Sequence, residues 1–382
     1  MLNLGDLSAL RILSLFNFTQ KMLQVQQNVD LAPFNTFKVS AKANRFVALS
    51  SLSDLRNLST VLLETELMLI LGEGANILLT KDYHGLAVKN ELRGRRVTLQ
   101  DSDSVTVEAA AGEDWHEFVM WAVEQGLSGI ENLAFIPGTV GAAPVQNIAA
   151  YGQTVGEVIL SVQGFHLSDL RNLSVLSNED CHFYYRDSVF KHDLKGKFFV
   201  TSVTFKFSKT AHYDTTYHSR YESLKGELDT LYPGRGQRQF TPKEIAQAVI
   251  SIRSKKLPDW HKLGTAGSFF KNPFVSKAKF AQLAQSVKDL QPYPIDHMLY
   301  PNPDDPVFAM TDMVKIPAGR LLDELGWKGK RVGNVGTYEK HALVVVNYGG
   351  ATGQETLEFA QKMQEEVKMN FEIDLEPEVN VV

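Results

Sequence analysis

The sequence holds a single cysteine, Cys181, among its 382 residues. That excludes an internal disulfide framework and any cysteine-rich metal site, and it fits a reducing compartment. Long apolar runs are missing too. No stretch reaches the roughly 20 apolar residues of a membrane span, so membrane insertion is not expected. Long runs of Lys or Arg are absent and the formal net charge is only −5, which makes nucleic acid a poor partner but leaves room for a small anionic ligand. The 10 histidines are scattered, with no HExxH or equivalent spacing, so no metal site is expected. What the chain has in quantity is apolar side chain: 44% of its residues are hydrophobic, enough for a soluble globular protein of two or three domains.

The opening stretch, Met1–Gln20, is apolar but broken by Asp6, Arg11 and Asn17, without the basic start and cleavage site of a signal peptide. Residues 1–25 read as an amphipathic extension of unknown role, with Met1 and Met22 both open as the translation start.

From Asn35 onward strands and helices alternate. Phe46–Leu49, the leucines at 52, 55, 58 and 62, and Leu67–Leu71 make a β-α-β unit. Its second strand ends in GEGAN, Gly72–Asn76, and Ile77–Leu79 resumes as strand. A Rossmann fingerprint needs its glycines to open a helix, and here no helix follows. The loop can offer consecutive N–H groups to a phosphate, a plain hairpin being the common alternative. Ser104–Ala110 alternates as a strand, and Trp115–Gln125 reads as a helix closed by Gly126.

Glu131–Gly152 (ENLAFIPGTVGAAPVQNIAAYG) is rich in Gly, Ala and Pro, which disfavours both helix and strand. So many small residues in one loop suggest that something large approaches the backbone. A flat cofactor with a pyrophosphate suits, with tight protein-on-protein packing as the alternative.

Glu157–Phe165 and Phe198–Phe207 read as antiparallel neighbours flanking CHFYYRDSVFK, Cys181–Lys191. There Arg186 lies among aromatic residues, able to clamp a carboxylate through two N–H bonds or simply to pair with Asp187 or Asp193. TPKE at Thr241–Glu244 is a capping box with Pro242 at the first helical position; the helix buries Ile245, Val249 and Ile252 and stops before Pro258. Arg253, Lys255 and Lys256 then present cations at its end, either facing the loop GTAGSFFKNP, Gly264–Pro273, or as solvated charges that complement the helix dipole. In that loop Gly264 and Gly267 allow backbone close to a ligand and Phe269 and Phe270 exclude water. Ser268, Lys271 and Asn272 supply a hydroxyl, a cation and an amide.

Further on, residues 276–288 read as an amphipathic helix capped by Ser276, with Phe280, Leu283, Ala284 and Val287 on one face. A Pro-rich loop over 292–306, a short helix Ala318–Leu325, a strand Ala342–Asn347 and a helix Glu355–Asn370 burying Ala360, Met363 and Val367 follow. Phe371–Val382 alternates at period two and reads as an edge strand carrying Pro377, whose acidic face either simply discourages aggregation or brings one carboxylate into a site.

Seven stretches carry a family resemblance: NTFK from Asn35, LGEGAN from Leu71, IPGTVGAAPVQN from Ile136, AYG from Ala150, YRDS from Tyr185, GTAGSFFKNP from Gly264 and LEPEV from Leu375. In order and spacing over about residues 30–382, they resemble the UDP-N-acetylenolpyruvoylglucosamine reductases. The resemblance implies an α+β fold: a two-lobed FAD-binding domain of the vanillyl-alcohol-oxidase (PCMH) type plus a C-terminal α+β substrate-binding domain. Lobe 1 would span 26–81, with 371–382 returning near the site, lobe 2 would span 82–257, and the substrate domain 258–370.

It also implies noncovalent FAD, NADPH as reductant, UDP-N-acetylglucosamine enolpyruvate as substrate, a role in peptidoglycan precursor synthesis and a bacterial cytoplasmic location; a monomer is expected. Residue by residue, Arg186, Ser268 and Glu378 would be catalytic, with Glu376 an open competitor for the last. Tyr221 would mark the type with a substrate-loop tyrosine, and Lys256 and Asn272 would bind substrate. The cofactor would be held by Gly72, Glu73, Gly74, Ala75, Asn76, Pro137, Gly138, Gly141, Ala142, Ala143, Gln146, Asn147, Tyr151 and Gly152. Thr139 and Ala149 depart from many relatives, and the N-terminal extension has no counterpart. Rival possibilities are a flavin-dependent oxidase of an alcohol, hydroxy acid or sugar lactone, and a non-enzymatic flavin or nucleotide-sugar binding module.

Overall fold

A computed structural model describes residues 23–62, 67–210, 218–219, 222–234, 240–293 and 312–382. The expected extension up to residue 22, Tyr221 and nearly all of the Pro-rich loop lie outside these.

The first sheet is built from β1 (Gln26–Asp30), β2 (Lys42–Leu49), β3 (Met68–Leu71) and β5 (Tyr83–Asn90), with β4 (Ile77–Leu78) leaving it; its order is β1-β2-β5-β3. Between β2 and β3 runs α1 (Leu52–Leu58), started by a Ser51–Asp54 capping box. The β-α-β unit therefore exists, but β5 lies between its two strands, parallel to both. β5 reads YHGLAVKN, and four consecutive residues, Gly85 to Val88, are buried, so burial on both faces leaves no alternation to mark it. Leu52, expected on the apolar face of α1, is exposed, while Leu55 and Leu58 are buried.

The second sheet is antiparallel throughout: β6 (Arg95–Gln100), β7 (Ser104–Ala110), β10 (Ile159–His166), β11 (Asp169–Ser177) and β12 (Phe198–Ser208), in the order β11-β10-β12-β7-β6. Here the expected pairing of 157–165 with 198–207 holds, and β6 and β11 are additions on the two edges. β6 is exposed throughout and β11 buries only Leu170, so neither shows the clean alternation that marks a half-buried strand. Behind this sheet pack α2 (Trp115–Glu124) and α4 (Pro242–Lys256), with α3 (Leu224–Leu231) against α4. Trp115, Phe118, Phe205 and Phe207 form the aromatic centre of that core. Asp114 caps α2; as expected, Gly126 follows that helix with φ +74°, and Thr241 and Glu244 make the capping box of α4.

Between β7 and β10, residues 134–148 run as turns, ending in a short pair, β8 (Ala149–Ala150) with β9 (Gln153–Thr154). A second minor pair is β13 (His218–Ser219) with β14 (Glu222–Ser223).

The third sheet, in the order β15-β20-β19-β18, comprises β15 (Gly264–Ser268), β18 (Arg331–Val332), β19 (Val335–Tyr338) and β20 (His341–Asn347); β16 (Phe274–Ser276) pairs with β17 (Met313–Lys315) beside it. Three helices accompany it: α5 (Lys277–Ser286), capped by Ser276 as expected, α6 (Ala318–Glu324) and α7 (Gly353–Phe371). In α5 Leu283 is buried but Ala284 is exposed, so its apolar face is narrower than the sequence suggested.

The C-terminal segment corrects one expectation. Phe371 is still helix, Glu372 takes the left-handed C-cap conformation (φ +57°), and only Asn380–Val381 forms strand, β21, parallel to β4. The period-two burial holds from Phe371 to Val379 and ends there, with Val381 exposed. No helix among the described residues is long and apolar enough to cross a membrane.

Candidate active site

The glycine-rich loops meet first. A Cβ on Gly74 (φ +61°) would lie 2.2 Å from the Phe34 carbonyl, one on Gly72 would meet Thr139 Oγ1 at 2.5 Å, and one on Gly141 would meet Ala111 Cβ at 2.4 Å. These glycines are needed because protein packs on protein, the alternative for the Gly141 stretch, and the close approach leaves their backbones facing a cavity. Asn76 ties the loops to the chain end: its Nδ2 donates to Gln146 Oε1 and to the Glu378 carbonyl, the latter at 3.1 Å. The Asn380 N–H returns to the Asn76 carbonyl.

The cavity so framed measures about 670 Å³, within the range of cofactor and ligand sites. All five residues of Gly72–Asn76 line it, as do Pro137, Gly138, Gly141, Ala142, Ala143, Gln146 and Tyr151, together with Arg186, Lys256, Ser268 and Glu378.

Arg186 sits in the left-handed region at φ +57°, a conformation that an L side chain adopts at a cost. Its guanidinium is held on two sides. Nε lies 2.8 Å from Glu378 Oε1, and Nη2 donates to the Ala149 carbonyl at 3.0 Å. Lys191 Nζ donates to the Arg186 carbonyl at 3.1 Å, which steadies the strained residue from behind. Asp187, the plainer partner suggested by sequence, bonds instead to His192 and to the Ser188 N–H.

Ser268 ends β15, where Gly267 (φ +74°) opens a bulge and an added Cβ would meet nothing within 4 Å. Phe269 and Phe270, both buried, then anchor the chain. Their backbone carries the C-terminus: Glu378 N–H donates to the Phe269 carbonyl, and Lys271 N–H to the Glu376 carbonyl, each at 2.8 Å. This register separates the two candidate carboxylates. The Glu378 side chain is 12% exposed and faces Arg186, whereas that of Glu376 is 69% exposed and pairs with Lys271 at 2.5 Å.

Burial shapes the charges around the cavity. Desolvation, reinforced by Asp114, pushes Glu73 up to about 7, although its Oε2 accepts the Gly138 N–H at 3.1 Å. Burial lowers Lys89, whose ammonium donates to the Gly72 carbonyl, and lowers Lys191, helped there by Lys271. Tyr185 is pushed up to about 12 by burial; its ring lies beneath the Lys315 ammonium, 4.5 Å from the centroid. Cys181 is likewise pushed up to about 12 by burial, an inert small hydrophobe rather than a flavin attachment point.

Some expected site residues stand outside the cavity wall. Asn147 is buried behind it, donating to the Tyr184 carbonyl and accepting the Gly156 N–H, and Gly152 serves a turn at φ +82°. Asn272 Oδ1 accepts the Ala318 N–H at the start of α6. Of the three cations at the end of α4, Arg253 and Lys256 line the cavity, but Lys255 turns to Glu227 at 2.6 Å. Lys191, His341 and Asn380 line it without having been anticipated. Only a lysine beside the YRDS stretch gave any signal for the first, and a lone histidine opening a strand gave none for the second.

Comparison with known proteins accords with this geometry. Residues 43–167 match the family model described as FAD binding domain, and residues 259–382 match that described as UDP-N-acetylenolpyruvoylglucosamine reductase, C-terminal domain. The chain is 43% identical to the UDP-N-acetylenolpyruvoylglucosamine reductase of Chromobacterium violaceum, over 93% of this chain and 98% of that protein. It is 38% identical to the Flavobacterium johnsoniae enzyme of the same name, over 94% of this chain and 100% of the relative. Among solved structures, the reductase of Thermus caldophilus superposes with a TM-score of 0.62 at 22% identity, covering 94% of this chain and 99% of that one, which shows a shared fold. With an α+β FAD-binding domain, a matching C-terminal domain and near-complete coverage of its relatives, the chain belongs to the UDP-N-acetylenolpyruvoylglucosamine reductase family.

Proposed function

We propose that the protein reduces UDP-N-acetylglucosamine enolpyruvate to UDP-N-acetylmuramate, using NADPH and noncovalently bound FAD, in the cytoplasm of a bacterium. Residues 26–81 and 82–257 would form the cofactor lobes and 258–370 the substrate domain. One observation carries the proposal: Arg186, Ser268 and Glu378, from three distant segments, line one cavity with the glycine loops, and the first and last are 2.8 Å apart.

The residues present suit the cofactor. Backbone from Gly72–Asn76 and Pro137–Gly141 faces the cavity with little side chain in the way, and the Gly138 N–H already donates to a carboxyl oxygen, as it could to a phosphate. Gln146 and Tyr151 extend the same wall, and Arg253 and Lys256 offer cations to the substrate's diphosphate. When bound, the flavin supplies the hydride equivalent that reaches the terminal enolpyruvyl carbon.

The chain's own groups handle the charge. Hydride addition to an enolpyruvyl ether builds negative charge on the carbon next to the carboxylate. Arg186 binds that carboxylate, and Glu378, its Oε1 2.8 Å from Arg186 Nε, keeps the guanidinium beside the enol-like form as charge builds there. Ser268 donates its proton to the adjacent carbon; as a serine is a weak acid, its hydroxyl depends on a preorganised setting, and the core-buried Phe269 and Phe270 that follow it anchor the chain carrying it. Anaerobic reduction of the bound flavin, followed by addition of the enolpyruvyl substrate, tests the reaction: substrate-dependent reoxidation is expected, and its absence in well-loaded protein would falsify the proposal.

A further inference from the structure

The cavity wall contains a titratable side chain that the chemistry above does not use. His341 opens β20, and its Nδ1 accepts the Leu343 N–H at 3.3 Å. A ring nitrogen that accepts carries no proton, so in the neutral ring the proton is on Nε2. Among the described residues Nε2 has no hydrogen-bond partner, and the ring lines the cavity with Arg253, Lys256, Gly267 and Ser268. At its back stands Gly319 of α6, where an added Cβ would lie 3.4 Å from the ring's Cε1.

The charged groups around the ring come from two helices and the turn after the second. Lys256 at the end of α4 and Lys328 beyond α6 oppose a positive ring, and Asp323 on α6 favours one. Burial is the largest influence, and the ring's pKa falls to about 4. At neutral pH a neutral N–H donor therefore stands beside the cationic Lys256.

We propose that His341 is a further substrate-binding residue, whose Nε2–H donates to a diphosphate oxygen of the nucleotide sugar that Lys256 neutralises, an inference that rests on the reaction proposed above. Lysine acts on a diphosphate as a point charge, whereas the imidazole adds a directional bond from a fixed ring. The bond has a consequence for pH. Bringing the diphosphate's negative charge against the ring favours imidazolium, so the ring's pKa rises in the complex. Between the free and bound values substrate binding takes up a proton, and affinity grows as pH falls through that window.

The experiment titrates oxidised, flavin-loaded protein with UDP-N-acetylglucosamine enolpyruvate by calorimetry, in two buffers of different ionisation enthalpy. It is done at mildly acidic and mildly alkaline pH on wild type, H341Q and H341L. Expected are about tenfold or more weaker binding in H341L, near-wild-type affinity at alkaline pH in H341Q, and acid-side proton uptake in wild type alone. In turnover, H341L should raise KM while leaving kcat nearly unchanged. Wild-type affinity in H341L, or wild-type proton uptake in H341Q, overturns the inference; so does a fall in kcat at constant KM, which would make the ring a proton-transfer group. Should H341L fail to fold, the proton uptake of H341Q decides alone. Failure of wild type itself to bind overturns both this inference and the reaction, whereas normal wild-type binding with unaltered variants removes only this inference.

Discussion

Glu376 and Glu378 sit two residues apart on one extended segment, and the fold treats them oppositely. Glu376 projects into solvent and meets Lys271; Glu378 is enclosed and meets Arg186. Both contacts are short, but an exposed pair gains little after solvent screening and side-chain ordering, whereas an enclosed pair fixes a guanidinium in a region of low dielectric. A short ion-pair distance therefore says little about function until the surroundings of the pair are known.

Four substitutions can break or sharpen that contrast. Ser268→Ala carries the largest expected effect: substrate reduction by the reduced flavin falls on the order of 10³-fold, while flavin reduction by NADPH stays fast, as stopped-flow absorbance would reveal. Next comes Glu378→Gln, which leaves the guanidinium without its countercharge; a loss of about 10²–10³-fold in kcat is expected, and a wild-type rate would dissolve the distinction between the two carboxylates.

Glu73→Gln follows, with an effect on stability. Glu73 has a folded pKa of about 7, above the ordinary carboxylate value of 4.5, so the folded state holds a proton that the unfolded chain releases. Stability linked to this group is present below the unfolded value and is lost as pH rises from about 4.5 to 7. The glutamine variant should flatten that decline, gaining on the order of 2 kcal/mol over wild type at pH 8, and matching melting curves at both ends of the window would contradict it. Glu376→Gln is the smallest: activity unchanged and stability within about 0.5 kcal/mol, measured by steady-state rates and denaturant unfolding.

Much of this was legible because certain local patterns have local causes. The capping box at Thr241–Glu244 and the glycine after α2 were readable because a helix end must satisfy its own backbone groups within a few residues. The failures share a cause as well. β5 and the edge strands β6 and β11 carry no clean alternation, since burial on both faces or on neither removes the periodic signal. Asn272, expected at the substrate, also accepts the Ala318 N–H at the start of α6, a contact no local pattern signals, because an amide's partner is whichever backbone group the fold brings near.

The sequence by itself determined the chemical inventory: the glycine loops, an arginine among aromatic rings, a serine in a small-residue turn and two acidic candidates near the end. Only the tertiary structure decided which of these meet. Alternation along an extended segment sorts side chains into two faces but cannot say where either face ends, or what stands opposite it. Glu378 faces Arg186 because its N–H is pinned to Phe269 and the chain beyond it joins β4, contacts between residues far apart in sequence.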